Sequence, residues 1–444
     1  TTIMIKYFKK AYHRWIPVLA DWFYGRPGKK MIVIGVTGTK GKSTTCRLIA
    51  SVLQAGGYKV GLMSTVEFQI AEKRWLNDKK MSMLGKGQIQ KMMRDMVKAG
   101  CDYAVVETSS EGILQHRQRG VHYDVVVFTN LGTEHSERHG GFENLKSDKG
   151  KIFAELEKRP PKIFKDKKVP KVIVANLDDA NAEYFLDFPA DEKRGFACKN
   201  INNLRRLQMK YPGLLGIFGK IISSDETGVS FEASNNDFRL NIPGEFNVPN
   251  ALAAIEVGQS QGVDIEQIAE GLEEVKKIEG RMEAIEEGQN FKVLVDYAHE
   301  PMSLTELFKS LRKMLPNAGN KVIGVVGSDG GGRDVGKRKK MGEIAGQLCD
   351  YVVITDVNCF DEDPRQIAEM LAIGAREAGK KEEEDLFIVI DRREGIKKAV
   401  SLAQSGDIVV ITAKGTEPVI CQAGGKKISW DDRVVVREII KELL

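Results

Sequence analysis

The stretch that most constrains this chain runs from Lys30 to Gly57, KMIVIGVTGTKGKSTTCRLIASVLQAGG. An apolar β-branched run, a glycine-bearing loop and a helical pattern stopped by two glycines follow in order, which predicts strand, loop and helix. Gly38 and Gly41 leave the backbone free to curl, so that successive N–H groups can converge on phosphate oxygens. The helix expected from Lys42 adds the positive end of its dipole. Lys42 can reach the outer phosphates of a nucleotide, and the hydroxyl of Ser43 is a hard oxygen of the kind magnesium prefers. Thr39, Lys40 and Thr44 complete the candidate nucleotide loop. The spacing departs from the common pattern of glycine, any four residues, then Gly-Lys-Ser/Thr. Val36 stands where that pattern wants the first glycine. The loop alone names no reaction.

The same alternation continues down the chain. YAVVET (103–108), YDVVVFTN (123–130) and KVIVAN (171–176) read as buried strands, and a second series runs from FKVLVDYAH (291–299) to DIVVIT (407–412). Strands alternating with helical stretches predict an α/β fold with parallel sheets covered by helices. At 444 residues the chain exceeds one ordinary core, so two α/β domains are expected, joined near EGRMEAIEEG (279–288). A net charge of +5 gives no reason to expect nucleic acid and suits a small polyanionic substrate. Six cysteines without a CxxC pair argue against a zinc site or a disulfide framework, and point to a reducing, cytoplasmic setting. No apolar run approaches the roughly 20 residues that cross a bilayer. Residues 1–30 mix aromatics with Lys and Arg. They read as a short helix packed on the body. The alternative is a helix lying on a membrane surface, with Trp15, Trp22 and Tyr24 at headgroup level, or one that meets a partner.

Further segments carry a family resemblance. These are TGTKGKST (37–44), ETSSEGILQHR (107–117), TNLGTEHSERHG (129–140), SDKGKIF (147–153), GEFNVPNALAA (244–254), EGRME (279–283) with VLVDYAHEPMSL (293–304), GSDGGGRDVGKRKKMG (327–342), DRREGI (391–396) and AKGTE (413–417). In this order they resemble the Mur ligases, in particular the MurE-type branch. The TGTxGK[ST] loop is shared with the folylpolyglutamate synthetases, which accounts for the unusual spacing. The resemblance implies an ATP-dependent ligase that activates a carboxylate as an acyl phosphate for capture by an amino acid's amine. It implies a central P-loop-type ATPase domain over 31–280, a Rossmann-like domain over 281–444 and a short helical N-terminal segment over 1–30.

Site residues follow by the same resemblance. Lys42, Glu107, His135 and Lys149 match the catalytic set. Ser43 and Glu107 match ligands of one magnesium ion, and His135 and Lys149 match a second metal site, with Lys149 carbamylated. From the residues alone, KSDKGK around Lys149 reads as a solvated run. Glu107, by contrast, ends an apolar strand, where a carboxylate needs a charged partner or a metal. Asn247 matches an adenine contact, Arg281 a phosphate contact and Asp296 a ribose contact, with Asn176 and Asp178 lining the nucleotide pocket. Asn and Asp also cap loops readily, which is the alternative reading for these positions. Ser82, Ser109, Ser110, Gln115 and Arg117 match residues that hold the sugar-peptide acceptor. Arg333, Asn358, Lys414 and Glu417 match contacts to the incoming amino acid.

Departures from the family narrow the expectation. Only about thirty residues precede the first strand, too few for a uridine-binding fold, so that grip is expected to be reduced, borrowed or unnecessary. Phe360, in VNCF, stands where the family arginine holds the far carboxylate of diaminopimelate, and Thr416 replaces a histidine. A ring cannot pair with a carboxylate, which disfavours diaminopimelate. The leading expectation is a MurE-type step of peptidoglycan precursor synthesis. The alternatives are a relative acting on a polymer or folate-type glutamyl chain, and an ATP-binding subunit of a complex. The oligomeric state is not legible.

Overall fold

The structure is a computed structural model that describes residues 2–79, 81–85, 87–132, 139–332 and 335–444, with backbone only over 2–12. The chain divides into two compact units, Thr1–Lys276 and Lys277–Leu444.

In the first unit the strands are β1 (Ile32–Thr37), β2 (Val60–Met63), β3 (Glu67–Ile70), β4 (Lys73–Leu76), β5 (Tyr103–Glu107), β6 (Val125–Phe128), β7 (Lys162–Phe164) and β8 (Lys167–Val169), followed by β9 (Val172–Asn176), β10 (Glu192–Ala197), β11 (Leu215–Ser224), β12 (Val229–Ala233) and β13 (Asn236–Leu240). Among the described residues, eleven of these form one sheet in the order β13-β12-β11-β10-β9-β6-β1-β5-β2-β3-β4. The middle of the sheet is parallel, and β1, β5, β6 and β9 are buried along their whole length. Helices on both faces explain why these strands read as continuous apolar runs rather than alternating ones. Each edge is extended by antiparallel strands that the sequence patterns did not announce. The β3–β4 and β12–β13 turns put residues other than glycine at positive φ: Ala71 at 51°, and Ser234 and Asn235 at 51° and 59°. Without glycine, the usual hairpin signal is weak.

Parallel pairing sets the register on which the site is built. Val36 of β1 lies opposite Glu107 of β5, and Thr37 opposite Phe128 of β6. The loop after β1, the end of β5, the Thr129–Asn130 corner after β6 and Asn176 at the end of β9 therefore share the carboxyl edge of the sheet. That is the edge where open α/β sheets bind ligands. Below it, Phe128, Phe153 and Phe185 pack ring on ring, with Phe128 and Phe185 stacked at 3.9 Å.

The helix Thr2–Phe23 packs on the same unit through its C-terminal half. Pro17 and Asp21 are buried, and Asp21 Oδ2 lies 2.8 Å from His122 Nε2. No helix among the described residues is long and apolar enough to cross a membrane.

The second unit holds β14 (Glu283–Ala284), β15 (Lys292–Val295), β16 (Val322–Val326), β17 (Tyr351–Ile354), β18 (Leu386–Ile388) and β19 (Ile408–Ile411). Their order is β14-β15-β19-β16-β17-β18, parallel except for β14. Buried Arg392 ties it internally: its guanidinium holds both carboxylate oxygens of buried Asp432, at 2.8 and 2.7 Å, and donates to Thr412 O.

Candidate active site

The phosphate loop is fastened from the neighbouring strand corner. Thr39 N donates to Asn130 O at 2.9 Å and Lys40 N to Asn130 Oδ1 at 2.8 Å. The Lys40 carbonyl accepts from Thr129 Oγ1 at 2.7 Å and from Asn130 Nδ2 at 3.1 Å. Gly132 N donates to Thr39 Oγ1 at 2.9 Å. Gly41 sits at φ 76°, and a Cβ there would collide with the Asn250 amide. Asn250 in turn accepts from Thr45 Oγ1 at 3.2 Å. The helix Lys42–Ala55 starts at Gly41 with no side-chain cap, so the N–H groups of its first turn face the loop without an intramolecular partner of that kind. Lys42 Nζ donates to Thr39 O at 2.7 Å, and Ser43 and Thr44 are buried.

Glu107 closes the other side. Its side chain is 2% exposed. Oε2 accepts from Ser43 Oγ at 2.8 Å and from Thr65 N at 2.7 Å, while Oε1 accepts from Thr65 Oγ1 at 2.7 Å. A buried anion held by three neutral donors lacks a full counter-charge from them. Together, the Ser43 hydroxyl and the Glu107 carboxylate are hard oxygens beside a phosphate loop. This donor set fits magnesium, which is usually bound by one or two protein oxygens and completes its shell with phosphate oxygens and waters. The Cys46 thiol behind them is pushed well up by burial and by the Glu107 charge, and stays neutral.

Lys149 is buried, not solvated as its charged neighbourhood suggests. It is 2% exposed, and its Nζ donates to Gly38 O at 2.8 Å. The helix Phe142–Lys158 that carries it is anchored by buried His139, whose Nδ1 lies 2.5 Å from Asp148 Oδ2. His135 lies outside the described residues, as does Arg333.

The proposed acceptor residues gather near the start of the short helix Ser110–Leu114. Ser109 caps it, accepting from Gly112 N at 3.3 Å, and Ser110 is buried. The Arg117 guanidinium donates to Met83 O and to Gln115 Oε1, which draws the stretch holding Ser82 beside it. Gln115 also donates to Glu111 Oε1 at 2.7 Å. Asn176, Asp178 and Asn247 all bind backbone. Asn176 donates to Thr129 O, Asp178 accepts from the amides of Cys198, Lys199 and Asn200, and Asn247 donates to Pro243 O. Through Thr129 and Asn250, Asn176 and Asn247 brace the loop indirectly.

In the second unit the remaining candidates converge. The Arg281 guanidinium lies 4.3 Å from the Tyr297 ring centre. Asp296 accepts from Met282 N and Ala298 N at 2.8 and 2.7 Å. Burial pushes its carboxyl up, opposed by the Arg281 charge. Tyr297 OH reaches Glu417 Oε1 at 3.5 Å. Glu417 Oε2 also accepts from Lys414 Nζ at 3.1 Å and Asn358 Nδ2 at 3.2 Å, and Asn358 donates to Asp329 Oδ1 at 2.8 Å. Lys414 is fully buried and also bonds Asn358 Oδ1 and Val419 O. Phe360, at φ 52°, donates its N–H to Cys421 O at 3.1 Å.

Sequence reasoning missed Thr65, Thr129, Asn130, Asn250, Tyr297 and Asp329 as members of these networks. All but Thr65 sit inside the quoted motifs, which was the available signal. Thr65 carried none.

The Mur ligase middle domain family matches residues 36–258, and the Mur ligase glutamate ligase domain family matches residues 280–415. A UDP-N-acetylmuramyl-tripeptide synthetase of Roseiflexus sp. (strain RS-1) is 38% identical over 435 residues, covering 96% of this chain and 81% of that protein. A UDP-N-acetylmuramoyl-L-alanyl-D-glutamate--2,6-diaminopimelate ligase of Geobacillus kaustophilus (strain HTA426) is 34% identical over 432 residues, covering 97% and 83%. A solved UDP-N-acetylmuramoyl-L-alanyl-D-glutamate--2,6-diaminopimelate ligase superposes with TM-score 0.59 at 29% identity, over 93% of this chain and 79% of that one. Mycobacterium tuberculosis folylpolyglutamate synthase shares the fold, with TM-score 0.64 at 14% identity over 99% and 97%. With both domain families matched across most of its length and relatives above 30% identity spanning nearly all of it, the chain belongs to the Mur ligase family.

Proposed function

We propose that this ATP-dependent ligase performs a MurE-type step of peptidoglycan precursor synthesis, adding an amino acid to the terminal carboxylate of a uridine-linked muramoyl peptide. A carboxylate oxygen of the acceptor attacks the γ-phosphorus of ATP, and the bond to the β-phosphate oxygen breaks to release ADP. The amine of the incoming amino acid then attacks the acyl carbon. Phosphate leaves with the bonding pair, and the amine gives up a proton.

The obstacle is that two anions must meet in line, so the protein's task is charge and position. The open start of helix Lys42–Ala55 and the Lys42 ammonium supply positive potential. Ser43 and Glu107 would hold magnesium, which neutralises and orients the outer phosphates when bound. A second magnesium site would use His135 and a carbamylated Lys149. In that modification the neutral amine takes up carbon dioxide and loses a proton, which turns a buried cation into an anion while leaving an N–H for Gly38 O. In the second unit, Asn358, Lys414 and Glu417 form a charged, hydrogen-bonded cluster suited to a zwitterion, and the Phe360 ring offers no charge to a distal carboxylate. The amino acid is therefore one without a second carboxylate. Consumption of ATP suits a cytoplasmic setting.

The observation that carries this reading is the 2.8 Å Ser43–Glu107 pair beside an uncapped helix start. The test is a phosphate-release screen crossing uridine-linked muramoyl dipeptide and glutamyl acceptors with the common amino acids and diaminopimelate. Magnesium-dependent release with the muramoyl acceptor is expected. Release with folate-type acceptors alone would overturn the cell-wall assignment.

A further inference from the structure

A surface helix ordinarily turns its apolar stripe inward. The helix Thr2–Phe23 buries Pro17 and Asp21 against the body yet leaves an apolar stripe outside over its described side chains. Trp15 (57%), Leu19 (57%), Trp22 (70%) and Phe23 (73%) are exposed together with Val18, at the spacing of one helical face, while Asp21 is turned inward to His122. Asp21 is the only acidic residue among the first thirty, so the outward face carries no carboxylate.

Charge follows the same division. Residues 1–30 hold seven Lys and Arg against that one Asp, a net charge of +6. The other 414 residues hold 60 basic and 61 acidic side chains, a net charge of −1, so the chain's positive excess is concentrated here. Arg14 flanks the stripe at one end and Arg26, Lys29 and Lys30 at the other, all exposed. Arg14 and His13, like Arg119 and Lys151, lie close enough to His116 for their charges to act on its ring. Just beyond the helix, the hairpin β7–β8 begins with Lys162 bonded to Gly28 O and Met31 O, and it exposes Ile163 and Lys168.

We propose that the outward face of this helix docks on an anionic membrane surface, with Trp15, Val18, Leu19, Trp22 and Phe23 entering the headgroup layer and the surrounding cations facing lipid phosphates. Tryptophan and phenylalanine beside Lys and Arg are the residues that hold a helix in that layer, and the attraction depends on anionic lipid and fades with salt. The docking holds the ligase at a bilayer without spanning it.

The experiment uses the full chain with vesicles of phosphatidylcholine, with and without phosphatidylglycerol, read by co-sedimentation and by the emission of Trp15 and Trp22. Partitioning about tenfold or more higher on the anionic vesicles, a blue shift, and loss of both at high salt are expected. The triple variant Trp15→Ser, Trp22→Ser, Phe23→Ser abolishes partitioning, and Arg26→Gln with Lys29→Gln and Lys30→Gln removes the preference for anionic lipid. Both variants alter exposed positions and keep ATP-dependent phosphate release in solution. Absence of vesicle binding at low salt overturns the proposal. So does self-association, without vesicle binding, that the triple variant removes, because the stripe then covers a second copy.

Discussion

Ser43 Oγ and Glu107 Oε2 are 2.8 Å apart and link the first turn of a helix to the end of the strand beside it. The two residues are 64 positions apart in sequence, and the register that opposes Val36 to Glu107 brings them together. The same register sets the carboxylate at the level of the phosphate loop. Magnesium held by these oxygens would neutralise phosphate bound at the loop.

The first prediction is that Glu107→Gln folds but loses its use of magnesium. Its Oε1 faces Thr65 Oγ1, a hydroxyl that can rotate to accept from an amide, so the stability cost is about 1 kcal/mol. The metal loses an anionic ligand. The magnesium concentration for half-maximal phosphate release should rise by about 10–100-fold or more. An unchanged magnesium titration would remove Glu107 from the metal site.

Thr65 positions that carboxylate through two hydrogen bonds. Thr65→Val keeps the shape and the backbone donor but removes the hydroxyl from Oε1. The lost bond to a buried carboxylate should cost about 1–3 kcal/mol of stability and weaken magnesium about tenfold. Thr65→Ser should restore both, whereas a merely space-filling residue would be rescued by valine and not by serine.

Phe360 is expected to govern the third substrate. It already occupies a left-handed conformation at φ 52°, so Phe360→Arg adds no backbone strain beyond what phenylalanine bears. A guanidinium there can pair with a distal carboxylate, a charged bond worth about 1.5–3 kcal/mol. Phosphate release with diaminopimelate should rise about 10–100-fold relative to the starting protein. If the variant melts normally and its amino-acid preference does not move, Phe360 does not set specificity.

Much of the architecture was legible because the signal was local. Strand, loop and helix from Ile32 to Ala55 follow one another directly, and the central strands are apolar on both faces because helices cover both. Glu107 was legible because a carboxylate closing such a strand needs a partner. Thr65 was not, since it meets Glu107 from 42 residues away with no pattern of its own, and the Thr45–Asn250 bond spans 205 residues. The burial of Lys149 was not legible from its neighbours alone, because KSDKGK reads as a solvated run, yet one turn of that helix faces Gly38. The N-terminal segment was legible as a short helix packed on the body. Which face meets the body was not legible, since among the described residues it is set by buried Pro17 and by the contact of Asp21 with His122.

The last prediction concerns stability against pH. Glu256 is fully buried in the helix Val248–Ser260 and accepts from Arg194 Nη1 at 2.8 Å. Burial outweighs the guanidinium and raises its carboxyl to about 7. Arg194 stays charged throughout, so only the glutamate titrates. In the unfolded chain a glutamate titrates near 4.3, so between these values the folded state holds a proton that the unfolded state has released, and stability falls by roughly 1.4 kcal/mol per pH unit at most. The contribution is therefore fully present below about pH 4.3 and lost as pH rises through 7. Glu256→Gln removes the titration while its amide keeps an oxygen for Arg194. The variant should melt a few degrees above the starting protein at pH 8, by about 1–3 kcal/mol, with the gap closing toward pH 5. Parallel melting curves across that range would show that Glu256 remains ionised in the fold and that Arg194 compensates its burial in full.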